Sequence, residues 1–503
     1  MRPELAAALL LATPVTAEPI VPQFIPVDTP PHVYDGGWEH FVGGGVAVFD
    51  CDGDALPELF VAGGANAAQL LRNSSSAGVA FVADTPENLA LTGVTGAYPL
   101  DIDSDGLLDL AVLRVGPDIL LQGQPDCTFR PFDDLGFVSD DHWTTGFSAT
   151  WEADPTLPTL AFGTYVDRFD PEGPFETCGP TLLYRPENGR YQSATHLEPG
   201  YCSLSVLFSD WGRLGRADLR VSNDRHYYVR NGQEQLWAME PQPRLYGEVD
   251  GWLPYSIWGM GIASRDLTGD GFPDVYLTSM GDQKFQEFDP AAPGPTWRDA
   301  TYDRGTTAHR PHSGGDGRPS TGWHAQFGDA NNDALDDIFV AKGNVEQMPD
   351  AALDDPNTLL LQHDNGQFSE SATSAGVASM AKSRGAALAD LNNDGWLDLV
   401  VVNRGSNLEI YQNKPGTGHW LLVDLGQTGH NRFALGAFIE IETNEATHTR
   451  EITVGGGHAS GIAGLHHFGL GTADKVRLRV IWPDGTQGSW QEAGANQILS
   501  IRR

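Results

Sequence analysis

Five nine-residue stretches place oxygen-bearing side chains at alternate positions: DCDGDALPE from Asp50, DIDSDGLLD from Asp101, DLTGDGFPD from Asp266, DANNDALDD from Asp329 and DLNNDGWLD from Asp390. The candidate metal ligands are Asp50, Asp52, Asp54 and Glu58; Asp101, Asp103, Asp105 and Asp109; Asp266, Thr268, Asp270 and Asp274; Asp329, Asn331, Asp333 and Asp337; and Asp390, Asn392, Asp394 and Asp398. Carboxylates held this close repel one another unless a cation sits among them. Calcium takes about six to eight hard oxygens at ~2.3–2.6 Å, which positions one, three, five and nine, a backbone carbonyl near seven and water can supply. The pattern predicts calcium, up to five ions for the five loops. It is not an EF-hand, which needs a bidentate Glu at position twelve, because Val112, Leu277 and Val401 stand there. Position six must turn sharply, and Gly106, Gly271 and Gly395 suit it; Ala55 and Ala334 adopt a positive φ only at a cost of roughly 1 kcal/mol.

Other groups offer less chemistry. His309, His312 and His324, with Asp316, fall in or beside a Gly- and Pro-rich connection, but their spacing matches no zinc motif. His458, His466 and His467 read as structural. The chain has no GxSxG elbow, HExxH helix, P-loop or GxGxxG after a strand. Carboxylate pairs are so abundant that a glycosidase-like pair arises by chance. The Trp and Tyr residues read as packing between strands rather than as a ligand platform.

The loops must be held by strands. After each loop the first and third residues are apolar, as in Leu59/Val61, Leu110/Val112, Val275/Leu277, Ile338/Val340 and Leu399/Val401, which is the period of a strand with one buried face. Two further stations, WEADPTLPT from Trp151 and DWGRLGRAD from Asp210, keep this frame but lack acids at positions three and five, so no metal is expected there. Successive stations are 50 to 63 residues apart, room for four short strands and their turns. The expected fold class is all-β: a seven-bladed β-propeller over residues 18–414 and a β-sandwich-like domain over 415–503. After Asn413 the last unit lacks an outer strand, which Ile20 to Val27 can supply.

A formal charge of −36 repels phosphate backbones and anionic lipid headgroups, leaving cations as the natural partners. Residues 1–17 read as a signal peptide, with Arg2, an apolar run from Ala6 to Ala12 and Val15-Thr16-Ala17 before the cut; no later run is long enough to span a membrane. Export implies an oxidising compartment, periplasmic or extracellular, for Cys51, Cys127, Cys178 and Cys202. Of the three possible pairings, Cys178 with Cys202 is favoured because they fall within one repeat, whereas Cys51 and Cys127 would have to bridge neighbours or stay free.

From about Pro415 the pattern changes to strands such as Lys475 to Trp482, with alternating Val476, Leu478, Val480 and Trp482. Here the chain resembles a known family. RGAALADLNNDGWLDLVVVN (Arg384 to Asn403), NRFALGA (Asn431 to Ala437), HFGLG (His467 to Gly471) and WPDG (Trp482 to Gly485) are similar to FG-GAP/VCBS repeat proteins with a C-terminal ASPIC/UnbV domain, the cartilage-acidic-protein-like family. TCGP from Thr177, SND from Ser222, GMG from Gly259 and AKGN from Ala341 also look like landmarks of that family. The resemblance implies an integrin-α-like propeller with calcium in the acidic loops, an extracellular binding or adhesive role, and no catalytic residues. The function expected is a binding module for a protein or glycan, recognised by irregular connections such as Gly305 to Gly322. Its rival is a secreted polysaccharide lyase or hydrolase with acid and base groups at the channel mouth. A concave pocket of convergent His, Tyr or Arg groups would favour that rival.

Overall fold

A computed structural model describes residues 18–152, 156–170, 177–224, 230–443 and 446–503. The signal-peptide reading lies outside them, as do residues 153–155 of the loop that starts at Trp151. Short strands with one or both faces buried dominate, and they pair along the chain as neighbours. Val46–Phe49, Glu58–Val61, Gln69–Asn73 and Phe81–Ala83, for example, form one antiparallel meander. Among the described residues seven such four-stranded blades follow one another. The second and third also join edge to edge, where His142–Trp143 pairs with Val115–Gly116.

The innermost strands are Val46–Phe49, Val94–Leu100, His142–Thr150, Ser203–Ser209, Gly259–Arg265, Gly322–Gly328 and Lys382–Ala389. Each touches the next, and the last touches the first, so the blades form a ring around a central channel. The ring is closed as the sequence predicts: Phe24–Val27 adds to Glu409–Asn413 as the outer strand of the last blade, from Phe24 opposite Asn413 to Val27 opposite Ile410. Apolar side chains between blades make the core, including the wholly buried Leu59, Leu110, Leu160, Leu219, Leu277, Ile338 and Leu399 of the repeat frame.

All four cysteines are bridged. Cys178 pairs with Cys202, and Cys51 pairs with Cys127. The second bridge corrects the idea that a disulfide should stay within a repeat. Cys51 opens the acidic loop of the first blade and Cys127 precedes the outermost strand of the second, so the bond staples neighbouring blades. Cys202 likewise stands just before Ser203–Ser209, the innermost strand of the next blade.

The C-terminal residues form two sheets around one core. One holds His419–Gly426 between His466–Gly471 and Gln497–Arg502; the other runs Thr447–Glu451, Phe438–Glu442, Lys475–Ile481, Gln491–Gly494. Leu421, Val423, Ile439, Ile441, Leu478 and Val480 fill the space between. Between the sheets the chain leaves this core and enters the propeller channel. Val454 bridges Ala149, Gly455 bridges Leu207, Gly457 bridges Ile262, Ser460 bridges Ala97, and Gly461–Ile462 runs parallel to Ala47–Val48. This segment is a plug, held by the innermost strands of the first five blades.

Glycine makes the insertion possible. Gly455, Gly456 and Gly457 all have positive φ, and a Cβ on Gly455 would stand 2.6 Å from the Ser148 side chain. Inside the plug His458 is fully buried: its Nε2 accepts the Gly43 N–H at 3.0 Å, so Nδ1 donates to the Met260 carbonyl at 3.1 Å. Its own backbone N–H donates to His324 Nδ1.

Candidate functional site

The acidic loops connect the innermost strand of a blade to the next, so all lie on one face of the ring. That is the face the C-terminal domain covers: the Asn431 N–H donates to Ser104 Oγ, His467 contacts the Gly395 carbonyl, and Arg213 pairs with Glu440. The loops share one backbone. Position six has positive φ in all five, at 72° and 74° in Ala55 and Ala334 and at 95°, 88° and 82° in Gly106, Gly271 and Gly395. The first carboxylate organises the turn; Asp101 accepts the N–H groups of Asp105 and Gly106, and Asp390 those of Asp394 and Gly395.

Position nine ties the loop to the blade. Asp109 accepts Ile102 N–H at 2.7 Å on one oxygen and Gly123 N–H of the third strand at 2.8 Å on the other. Glu58, Asp274, Asp337 and Asp398 each accept from a residue early in the loop and from Asn73, Phe288, Gln362 and Asn413 respectively.

Charge convergence differs between loops. Carboxylate oxygens of Asp50, Asp52 and Glu58 lie within 4.8 Å of one another, as do those of Asp101, Asp103 and Asp109. The loops from Asp266, Asp329 and Asp390 have Thr268, Asn331 and Asn392 at position three and form no such acidic trio among the described residues. Asp52 is drawn to Arg72 at 2.8 Å, and Asp103 accepts Gln122 at 2.5 Å. The Cys51–Cys127 disulfide packs against Glu58, and its sulfurs are spent in that bond.

Burial, with neighbouring carboxylates adding to it, pushes Asp101 up to about 7, Asp109 to about 8 and Asp390 to about 7. Burial likewise raises Glu58 to about 7 and Asp274 to about 7. Arg432 and Arg72 offset only part of this at Asp101 and Glu58, and a hard divalent cation among the oxygens fits the donor set.

The two acid-poor stations place arginine side chains beside their acids. At Asp210 the turn survives, with Arg213 and Gly215 at positive φ and Asp210 accepting the Leu214 and Gly215 N–H groups. Here Arg216 donates to the position-nine Asp218 at 2.8 Å, a guanidinium beside the carboxylate. At the Trp151 station Arg185 forks onto Glu152 through Nε and Nη2.

On the opposite face the described residues line a cavity of about 470 Å³. Thirteen of its sixteen lining residues are aromatic, aliphatic or methionine, and the polar ones are Asp224, Glu346 and Gln347. Trp38 and Trp143 meet edge to face, 5.1 Å apart at 78°, and Trp143 meets Tyr165 at 4.9 Å and 80°. The packing role expected of the tryptophans holds for Trp211, Trp252 and Trp297, which cluster between blades, and Trp143 and Trp323 are likewise buried in a cluster against which Tyr165 and Trp258 pack. The connection from Gly305 to Gly322 contributes no lining residue. The missed signal was positional: Trp143, Trp258 and Trp323 each fall at the start of an innermost strand. The histidines that might have shared a metal do not converge, since His324 sits under the plug while His312 faces Thr373 and Glu370.

A second cavity, of about 430 Å³, lies between the propeller and the C-terminal domain. Its arginines are committed: Arg265 pairs with Asp336 at 3.2 Å, and Arg450 lies over the Phe468 ring at 4.2 Å. The plug fills the channel between the innermost strands of the first five blades. No helix among the described residues is long and apolar enough to cross a membrane.

Residues 329–401 and 50–112 match the family described as FG-GAP-like repeat, and residues 427–503 match ASPIC and UnbV. Cartilage acidic protein 1 of Xenopus tropicalis is 34% identical over 124 residues, covering 23% of this chain and 19% of that protein. The human protein of that name is 32% identical over 124 residues, with the same coverage. The chain thus spans about a fifth of the length of these relatives. Among solved structures, the WD40 domain of Toxoplasma gondii coronin superposes with a TM-score of 0.42 at 12% identity, covering 80% of this chain and 89% of that one. An Agrocybe aegerita lectin that recognises non-reducing terminal N-acetylglucosamine gives 0.40 at 14% identity, covering 73% and 93%. The propeller thus carries FG-GAP-like repeats within residues 50–112 and 329–401, and the C-terminal residues 427–503 match ASPIC and UnbV.

Proposed function

We propose that this chain is an exported, calcium-binding propeller whose face opposite the acidic loops binds a protein or a glycan. The observation that carries the calcium reading is the set of five loops with one turn geometry and a buried position-nine carboxylate that pairs with no cationic side chain among the described residues, unlike Asp218 with Arg216. Asp101, Asp103, Asp105 and Asp109 would hold one ion, and the corresponding residues of the other loops up to four more. The cation offsets charge that burial disfavours, so it stiffens the loop between two strands of its own blade. Calcium in this role is structural, and the face it stiffens is already covered. That leaves the other face, where the connections between blades lie, for a partner. Two disulfides and the likeness to cartilage acidic protein 1 support an extracellular or periplasmic site. Binding rather than turnover is favoured because the channel is plugged and the ordered carboxylates belong to loops.

Calcium titration of the full chain by calorimetry tests this reading. Asp105→Ala and Asp394→Ala should each remove one ion from the stoichiometry, and a chelator should lower the melting temperature of the parent. Unchanged stoichiometry in both variants overturns the ligand assignment.

A further inference from the structure

The cavity on the face opposite the acidic loops has the ingredients of a site for a particular chemistry. Its walls are rings set at steep angles to one another, a box rather than a flat platform, with Trp38, Trp143 and Tyr165 making two consecutive edge-to-face contacts. Met260, Met280 and Met348 add polarizable thioethers that adapt to a ligand's shape. At about 470 Å³ the cavity falls within the ~300–1,000 Å³ range of small-molecule sites.

Two polar features of the wall are uncompensated. Trp143 is 2% exposed, yet its indole N–H has no hydrogen-bond partner among the described residues. Asp224 accepts the Tyr165 hydroxyl at 2.5 Å but pairs with no arginine, lysine or histidine among the described residues. The other acid in the lining, Glu346, is neutralised by Arg404 at 2.9 Å and Lys382 at 3.2 Å. Asp224 is thus the acid of the lining left without an ion pair among the described residues, while Arg384 lies over the Trp323 ring at 4.1 Å and Arg404 over the Phe41 ring at 4.8 Å.

We infer that this cavity binds a methylated ammonium group, enclosed by Trp38, Trp143 and Tyr165 and balanced by Asp224. Ring faces attract a cation, and a methylated one sheds its water at low cost, so an apolar wall suits it better than it suits a bare ammonium. A pyranose needs a flat stacking surface and several directed polar partners, and the lining offers few. The shared chemistry is a quaternary or tertiary ammonium, free as in choline or carried on a peptide as trimethyl-lysine. The inference deepens the reading of this face as the binding face and is independent of calcium.

The test uses the full chain, titrated by calorimetry and tryptophan fluorescence, in calcium and again in chelator. The probes are tetramethylammonium, choline, a trimethyl-lysine peptide, N-acetylglucosamine and 3,3-dimethylbutanol, the uncharged isostere of choline. The ammonium probes should bind and the isostere should bind at least about tenfold more weakly. Asp224→Asn, which keeps an oxygen for Tyr165, should lose about tenfold of ammonium affinity at an unchanged melting temperature, and Trp38→Leu should do the same. Choline without the peptide points to a small solute; the peptide at comparable affinity points to a modified protein. Equal binding of the isostere, binding of the sugar alone, or no binding by any ammonium probe overturns the inference. If calcium still stabilises the protein in that case, only the ligand class falls.

Discussion

At the scale of single residues, the nine-residue loop has two kinds of carboxylate. Asp105 is exposed, and its oxygen turns only the Leu107 N–H. Asp109 is buried and accepts two N–H groups from separate strands. In chelator, Asp109→Asn should cost about 1–3 kcal/mol, because an amide NH2 then faces one of those donors. Asp105→Asn should stay within about 0.5 kcal/mol of the parent in chelator and lose stability only relative to the calcium form. Urea unfolding with and without calcium separates the two, and equal costs in chelator would mean that position nine is only a ligand. These loops were legible from sequence because everything that shapes them is local: the ligands, the positive-φ positions and the flanking strand lie within about a dozen residues. The tie from Asp109 to Gly123 was not, since it depends on which strand folds back beside the loop.

At the scale of elements, closure of the ring rests on one short strand. Phe24 is buried in one cluster with Ala372, Ala375 and Tyr411, so its side chain adds to the backbone ladder in holding Phe24–Val27 to the last blade. Phe24→Ala should cost about 3 kcal/mol. Deleting residues 18–26 should lower the melting temperature further, and an unchanged curve for the deletion would show that the ring does not depend on this strand. The expectation for this strand came from counting: the last unit was one strand short and the segment before the first unit could supply it. The disulfide between the first two blades escaped the same reasoning, because Cys51 and Cys127 are 76 residues apart and only the radial stacking of blades brings them together. Replacing both by serine should cost about 2–4 kcal/mol in denaturant unfolding.

At the scale of the whole molecule, plug and propeller share one core, and their junction is sensitive to acid. Burial lowers His458 and His467 to about 3 and His324 to about 4, from an ordinary value of 6.5. Below pH 6.5 the unfolded chain takes up protons that the folded one refuses, so their contribution is complete above 6.5 and is lost as the pH falls toward 4. Buried acids such as Asp118 and Glu451, both raised to about 7 by burial, act in the opposite sense, so the parent curve alone is not diagnostic. His458→Gln should remove up to ~1.4 kcal/mol per pH unit of slope between pH 6.5 and 4, and an unaltered slope would mean that His458 is not held neutral by the plug. The blades and the C-terminal sheets were readable from alternating residues, but the plug was not, because the meaning of Gly455 to Gly457 lies in inner-strand residues some 200 to 360 positions earlier. The closing strand also sets a timetable for the ribosome. Phe24–Val27 leaves the exit tunnel early and has nothing to pair with until Glu409–Asn413 follows, and the channel stays hollow until the plug arrives later still. Throughout that interval the nascent chain displays two raw sheet edges and an apolar bore, an invitation to pair with a neighbouring copy. The order of synthesis therefore leaves ring closure until Asn413 has emerged, however well each blade folds by itself.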